Sequence, residues 1–144
     1  MVLVDSSAWI EAARRAGSAD AKATLAGLLE ADAAFITGPV LLEVLGGAKV
    51  SERELLRHSL ASVPYRAVPD AAWREGADLS ARFRQEGLTV PWNDVLLAAL
   101  AIRWDVRVFA LDDHFRLMSR QSPLRLYRPR PGGRFAPERR STHL

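Results

Sequence analysis

Short, uniformly apolar runs alternate along the chain with longer segments in which hydrophobic residues recur at helical spacing. The first run, residues 2–4, has no polar alternation, which indicates a strand buried on both faces. Similar runs predict strands at residues 33–37 and 107–111, with two shorter candidates at 65–68 and 124–127. Strands that alternate with helices are typical of a parallel sheet covered on both faces. The pattern therefore predicts an α/β fold with a mostly parallel sheet of four to five strands.

The helical segments have local signals at their ends. Pro39 favours a helix start, and Gly87 is suited to end a long helix. The segment that Asn93 or Trp92 opens and that runs to Trp104 is apolar nearly all round, which predicts a central, buried helix. The predicted helices are an opening one that Ser6 or Ser7 caps, and six more at residues 19–31, 39–45, 51–61, 70–86, 93–104 and 115–118.

The composition fits one globular domain with a distinct tail. The chain has 144 residues, of which 49% are hydrophobic and 26% charged, enough for a single hydrophobic core. We assign residues 1–128 to the domain and expect residues 129–144, rich in Arg, Pro and Gly, to be mobile. No apolar run is long enough to span a bilayer, and we expect no secretory signal. Cysteine is absent, which excludes disulfides and thiolate metal sites, so we expect a cytoplasmic protein without membrane contact.

The positive charge of the chain is carried almost entirely by arginine. Two of the 20 basic residues are lysines, Lys22 and Lys49, so the other 18 are arginines, and the formal net charge is +3. From Arg116 to the end there are eight arginines and one acid, Glu138. Arginine binds phosphate through a bidentate fork, so this end could guide a nucleic acid. A solvated, disordered end is an equally good interpretation.

Four acidic residues interrupt or end apolar stretches. Asp5 and Asp112 directly follow predicted strands, Glu43 lies in the helix after the second strand, and Asp94 lies in the first turn of the buried helix. Each of the four has a purely structural explanation as a turn residue, a helix-end acid or an ion-pair partner. Ligands of open α/β sheets bind beyond the carboxyl ends of the strands, so all four can face one crevice.

Carboxylates gathered in one crevice repel each other unless a cation separates them. Mg²⁺ prefers oxygen ligands and often shares them with substrate phosphates, and Mn²⁺ could replace it. The four acids therefore predict a metal centre that hydrolyses phosphodiesters with metal-activated water. No Gly-x-x-x-x-Gly-Lys loop and no Gly-x-Gly-x-x-Gly turn is present, so nucleotide-triphosphate and dinucleotide sites are unsupported.

The roles of several residues near the acids stay open. Ser7 could hydrogen-bond a metal-ligating carboxylate or cap a helix. His114 could be an outer ligand or a substrate contact, and Asp113 could cap a helix or be solvated. Trp92 borders the proposed crevice and is the one ring that we consider for nucleotide stacking, whereas we expect Trp73 to lie in the core or an interface.

Four segments together carry a resemblance to a known family. They are residues 4–10 (VDSSAWI), Glu43 with the two glycines behind it, residues 93–99 (NDVLLAA) and residues 111–115 (LDDHF). In order and spacing they resemble the PIN domain, and within it the VapC-type toxins of bacterial toxin–antitoxin pairs. The resemblance covers about residues 1–127.

The resemblance implies both a fold and an activity. It implies a three-layer α/β/α fold and a Mg²⁺- or Mn²⁺-dependent endoribonuclease of a type II toxin–antitoxin system, whose acids match Asp5, Glu43, Asp94 and Asp112. It also implies a homodimer, inhibited by a cognate antitoxin protein that lays a C-terminal segment over the active site. One position departs from the family: Ala110 stands where Thr or Ser is frequent, which leaves the number of metal ions open.

Two other functions stay possible on the sequence alone. A PIN-like scaffold without catalysis could bind RNA or a partner protein, although the presence of all four acids argues against it. A nuclease directed at DNA is the second, because recognition of the ribose 2′-hydroxyl leaves no short motif.

Overall fold

Three short parallel strands form the centre of this computed structural model, which describes residues 1–139. Strand β1 (Val2–Val4) lies in the middle, between β2 (Ala34–Phe35) and β3 (Arg107–Phe109). Both neighbours run parallel to it. The side chains of β1 are fully buried, as its uniformly apolar composition predicts.

Seven α-helices surround the sheet in the described part of the chain. Helix α6 is the central one, because a continuous stretch of its residues, from Asp94 to Ala101, is buried. Its neighbour along one side is α5. The helices are α1 (Ser6–Ala13), α2 (Ala19–Glu30), α3 (Gly38–Gly47), α4 (Val50–Ala61), α5 (Asp70–Gln85), α6 (Trp92–Trp104) and α7 (Asp113–Arg120).

The sheet has fewer strands than the four to five predicted. The segments at 65–68 and 124–127 lie where a fourth and a fifth strand would, but each makes a single parallel bridge, Ile36 with Tyr65 and Val108 with Leu126. Prolines at positions 64, 69 and 123 stand at or beside these segments and lack the N–H that a longer ladder needs. The α/β class with a parallel sheet is confirmed, and the strand number was wrong.

Two helices begin differently from the prediction. The cap of α1 is Asp5 rather than Ser6 or Ser7: its side chain accepts a hydrogen bond from the backbone N–H of Ser7. Helix α7 is longer than the predicted 115–118, because Asp112 caps it two residues earlier by accepting from the N–H of His114. Two of the four acids therefore also hold helix N-termini.

The end of the described chain lies against α2 and β3. Gly133 approaches the backbone of α2 so closely that a Cβ atom there would lie 2.5 Å from the carbonyl carbon of Ala23. The Phe135 ring stacks on Tyr127 with 6.3 Å between centroids, and Glu138 pairs with Arg125 at 2.7 Å. The mobility expected for residues 129–144 stays a prediction, and residues 140–144 lie outside the described part. Within residues 1–139, none of the helices combines the length and apolar character that a membrane crossing requires.

Candidate functional site

Asp5 stands directly after β1 and is almost completely buried, at 3% exposure. Its backbone N–H donates to the carbonyl of Phe109 at 2.9 Å, which aligns the ends of β1 and β3. Its Oδ2 accepts two hydrogen bonds from Ser7, one from the hydroxyl at 2.6 Å and one from the backbone N–H at 3.1 Å. Its Oδ1 is buried and has no partner in the described part of the protein. One carboxylate oxygen is therefore held in place and the other is free to bind.

Ser7 connects two parts of the site. While its hydroxyl donates to Asp5, the same oxygen accepts from the backbone N–H of Leu111 at 3.0 Å. Leu111 lies in the short loop between β3 and Asp112. The hydroxyl therefore fixes both the Asp5 carboxylate and the loop that presents Asp112, so Ser7 acts as a bridge as well as lying in the first turn of α1.

Glu43 projects from α3 and is half-buried. The hydroxyl of Ser6 donates to its Oε2 at 3.4 Å, a long hydrogen bond between α1 and α3. Two residues separate the end of β2 from Gly38-Pro39, which starts α3, so the helix begins near the carboxyl end of the sheet. Glu43 lies about one and a half turns further along the helix.

Asp94, Asp112 and His114 form a contiguous group. Asp94 is buried in the first turn of α6, at 8% exposure, whereas Asp112 is exposed at the start of α7. The Nδ1 atom of His114 lies 2.8 Å from Oδ2 of Asp94 and 3.1 Å from Oδ1 of Asp112. One ligand atom from each of the three lies within 4.8 Å of the others. The imidazole therefore bridges the acid of α6 and the acid that precedes α7.

The acids influence one another electrostatically. Burial raises the pKa of Asp5 from 3.8 to about 6; the hydrogen bonds from Ser7 oppose the rise, and the negative charges of Asp94 and Glu43 add to it. Burial also raises the pKa of Asp94, where the hydrogen bond from His114 opposes the effect and the charges of Asp112 and Glu43 reinforce it. The hydrogen bond to Asp94 in turn raises the pKa of His114. All four predicted acids thus lie in one electrostatic neighbourhood.

The donor set suits a hard divalent cation. Its atoms are carboxylate oxygens, with the imidazole of His114 beside them, and such oxygens are what Mg²⁺ and Mn²⁺ prefer. The unpartnered Oδ1 of Asp5 can bind a cation, and a cation there would favour the ionised carboxylate, whose pKa burial raises. The residues present therefore fit the predicted metal.

The sequence left the roles of His114 and Asp113 open, and in the structure only one of them contacts the acids. His114 contacts both Asp94 and Asp112, whereas Asp113 is exposed and pairs with Arg116 at 3.3 Å. The signal for His114 was its position two residues after a helix-capping acid, where the backbone turns the side chain back toward the cap. The roles of the four acids as ligands or catalysts stay predictions.

Known proteins similar to this chain agree with the fold. A family model described as PIN domain matches residues 2–121. The VapC ribonuclease Mb1587 of Mycobacterium bovis is 36% identical over 125 residues, covering 83% of this chain and 92% of that protein.

Solved structures add two further likenesses. FitAcB from Neisseria gonorrhoeae superposes with a TM-score of 0.71 at 16% identity, covering 89% of this chain and 97% of that one. VapBC-5 from Mycobacterium tuberculosis, a member of the VapBC family of toxin–antitoxin systems, has a TM-score of 0.64 at 25% identity, with 88% and 96% covered.

Proposed function

Because this chain belongs to the PIN-domain family, we propose that it is an endoribonuclease and the toxin of a type II toxin–antitoxin pair. It hydrolyses RNA phosphodiesters with a divalent cation, Mg²⁺ or Mn²⁺, bound among Asp5, Glu43, Asp94 and Asp112. The VapC relative named a ribonuclease, 36% identical over most of both chains, supports the activity.

The single observation that carries the proposal is the convergence of acids from four elements far apart in the sequence. Asp5 and Asp94 are buried, and charges from Glu43 and Asp112 raise the pKa of one or both. A structural role does not require such mutual repulsion. A cation relieves it, which is why a cluster of this kind supports a metal-dependent reaction.

The proposed role of each side chain in the site depends on its burial. Asp5 and Asp94, the two buried carboxylates, would hold the cation, and Ser7 keeps Asp5 in one orientation. Glu43 and the exposed Asp112 would complete its shell on the open side. When bound, the cation supplies positive charge for the scissile phosphate and lowers the pKa of water. His114 orients the Asp94 and Asp112 carboxylates relative to each other.

An antitoxin partner follows from the likeness to VapBC-5, whose description names a toxin–antitoxin system. We propose that a cognate antitoxin binds this chain over the acidic cluster and blocks it, and that the chain acts as a homodimer. With RNA as substrate, the cytoplasm is the compartment in which it would act.

A cleavage assay with two matched variants tests the proposal. Purified protein should cut single-stranded RNA with Mg²⁺ or Mn²⁺, lose the activity in EDTA and regain it when metal is restored. Asp94→Asn should reduce the rate at least about 100-fold, since it removes a charged ligand while keeping the shape of the side chain. Asp113→Asn, which removes an exposed acid 19 positions further along, should cut at the wild-type rate.

The same assay separates the enzyme from a binding module without catalysis. Full activity after rigorous chelation, or equal rates for Asp94→Asn and Asp113→Asn, would contradict the metal mechanism. If calorimetry detects no cation binding at millimolar Mg²⁺ or Mn²⁺, the chain is a PIN-like scaffold and its acids have lost their function.

A further inference from the structure

Two tryptophans lie side by side on the surface between α5 and α6. Trp73 and Trp92 are 52% and 67% exposed, and their ring centroids are 6.4 Å apart with planes tilted by 32°. Of the two places expected for Trp73, the core is excluded because the side chain is exposed in the first turn of α5, and an interface stays a prediction. Exposed tryptophans are costly to leave in water, and a close pair of them indicates a binding surface.

The rings border a cavity with a specific character. Its volume is about 370 Å³, which lies within the range of small-molecule pockets. Its walls are apolar apart from the hydroxyl-bearing Ser80, and Gly76 leaves one wall without a side chain. Flat apolar walls with one hydrogen-bonding group suit a planar heterocycle.

The cavity and the acidic cluster share the first turn of α6, although none of the four acids lines the cavity. Trp92 is the first residue of α6, and Asp94 is two residues further along the same turn. Their Cα atoms are therefore about 5.5 Å apart, as helix geometry requires. Side chains two positions apart leave a helix in different directions, so an RNA strand whose phosphate lies at Asp94 would have to pass round the N-terminus of α6 to bring a neighbouring base to the Trp92 ring. Arg74, the next residue after Trp73, is exposed and carries a positive charge that can pair with a phosphate of the RNA.

A second copy of the chain is the alternative occupant of this face. A stable protein interface buries about 800 Å² on each partner, with a contiguous apolar centre. On the described surface of α5 and α6, the two tryptophans are the only large apolar side chains that are strongly exposed. One ring system fits this patch better than a protein interface does.

We propose that Trp73 and Trp92 form a stacking site for an unpaired base of the RNA substrate, beside the phosphate that is cut. This inference rests on the proposed ribonuclease function and adds to it a determinant of substrate recognition. Base stacking on aromatic rings tolerates any base, so the site selects single-stranded RNA rather than a sequence. A paired base in an RNA helix cannot reach the rings.

The test measures binding to two ligands of equal length and charge. One is a single-stranded RNA octamer, and the other is the same ribose-phosphate octamer without bases. Binding is followed by fluorescence anisotropy with Ca²⁺ in place of Mg²⁺, a substitution intended to keep the octamer intact. Wild-type protein should prefer the octamer with bases, and Trp92→Ala and Trp73→Ala should each weaken its binding about 5- to 100-fold. Neither variant should change binding of the abasic octamer.

Two further variants control for packing and location. Trp92→Phe keeps an aromatic face and should retain most of the preference for bases. Leu55→Ala removes a comparably exposed apolar side chain, 58% exposed on α4, and should behave as wild type. A preference for bases that survives in both tryptophan-to-alanine variants would overturn the proposal.

Light scattering distinguishes an RNA base from a second copy of the chain as the occupant of the surface around Trp73 and Trp92. If the tryptophan-to-alanine variants convert a dimer into monomers while the preference for bases persists, this face is an interface between copies and the stacking assignment is wrong. The cleavage assay separates this failure from that of the function itself. Wild-type protein that cuts RNA while the variants keep their base preference rejects only the stacking site, whereas protein that never cuts RNA rejects the ribonuclease.

Discussion

Replacing Asp5 with asparagine should stabilise the metal-free protein at neutral pH. Asp5 is buried, and its pKa is raised to about 6, so at pH 7.5 the folded protein holds an ionised carboxylate in an unfavourable place. The asparagine amide has the same shape without the charge. Its carbonyl oxygen can still accept from the backbone N–H of Ser7 and keep the cap of α1.

The magnitude follows from the pKa shift. The rise from 3.8 to about 6 is about two units, and at about 1.4 kcal/mol per unit it corresponds to about 3 kcal/mol. Because the pKa of this acid is higher in the folded state, the folded protein binds the proton more tightly. The stabilisation of the folded protein by protonated Asp5 is therefore complete below pH 3.8 and is lost as the pH rises through 6. The stability advantage of Asp5→Asn should be largest at pH 7.5 and smaller by about 2 kcal/mol at pH 4.5.

Urea unfolding in EDTA at these two pH values measures the difference. For a slope of about 2 kcal/mol per molar urea, the change corresponds to a shift of about 1 M in the relative midpoints. Costs of the substitution that do not depend on pH, such as an amide N–H without a partner, cancel when the two pH values are compared. Asp113→Asn, at an exposed position, is the matched control for replacing an acid with its amide.

Two outcomes would refute this reasoning. If the stability difference between wild type and Asp5→Asn is the same at pH 7.5 and 4.5, Asp5 does not titrate with a raised pKa. If millimolar Mg²⁺ stabilises the variant as much as wild type, Asp5 does not bind the cation, because a ligand stabilises only a state that binds it.

Three other predictions address the rest of the structure. Ser7→Ala should lower the cleavage rate and raise the pKa of Asp5 further, because it removes the hydroxyl bond that favours the ionised carboxylate and leaves only the bond from the backbone N–H. An unchanged pH–rate profile would exclude this role. Gly133→Ala should lower the free energy of unfolding by about 1–3 kcal/mol, because the added Cβ would collide with Ala23 and the residue has a φ of +78°. Limited proteolysis should then cut the C-terminal segment faster than in the wild type. Unchanged protection would mean that the segment does not pack on α2 in solution. Leu97→Ala should cost about 2–5 kcal/mol in urea unfolding because Leu97 is 1% exposed in the central helix, and a cost below about 1 kcal/mol would contradict its place in the core.

The features visible in the sequence were those set by local composition. The uniformly apolar run at β1 specifies a strand buried on both faces, and its bounds of Val2–Val4 match the prediction. Helix α6 was predicted within a residue because its apolar character is continuous from Val95 to Ala101. Because Asp5 directly follows β1, the end of that strand alone places it at the carboxyl edge of the sheet, where ligands of parallel α/β sheets bind.

The features that the sequence could not show depend on distant partners. The length of a strand at the edge of a sheet depends on the backbone hydrogen bonds that its neighbouring strand can make. The segments at 65–68 and 124–127 each form one bridge to their neighbour. The contact of Gly133 with α2 requires two backbones to approach, and nothing in the local pattern of either segment signals it. The hydrogen bond that the backbone N–H of Leu111 donates to the hydroxyl of Ser7 joins positions 104 residues apart.

Two of the four acids serve the fold and the site at once, and this determines how the site should be probed. Asp5 caps α1 and Asp112 caps α7, each through one carboxylate oxygen. Alanine at either position would remove a helix cap, worth about 1 kcal/mol, together with the charge, so a loss of activity would have two explanations. Asparagine keeps the cap and removes only the charge. If Asp5→Asn and Asp112→Asn fold at least as stably as wild type and yet cut no RNA, the loss is assigned to the missing negative charge, the property that a bound cation requires.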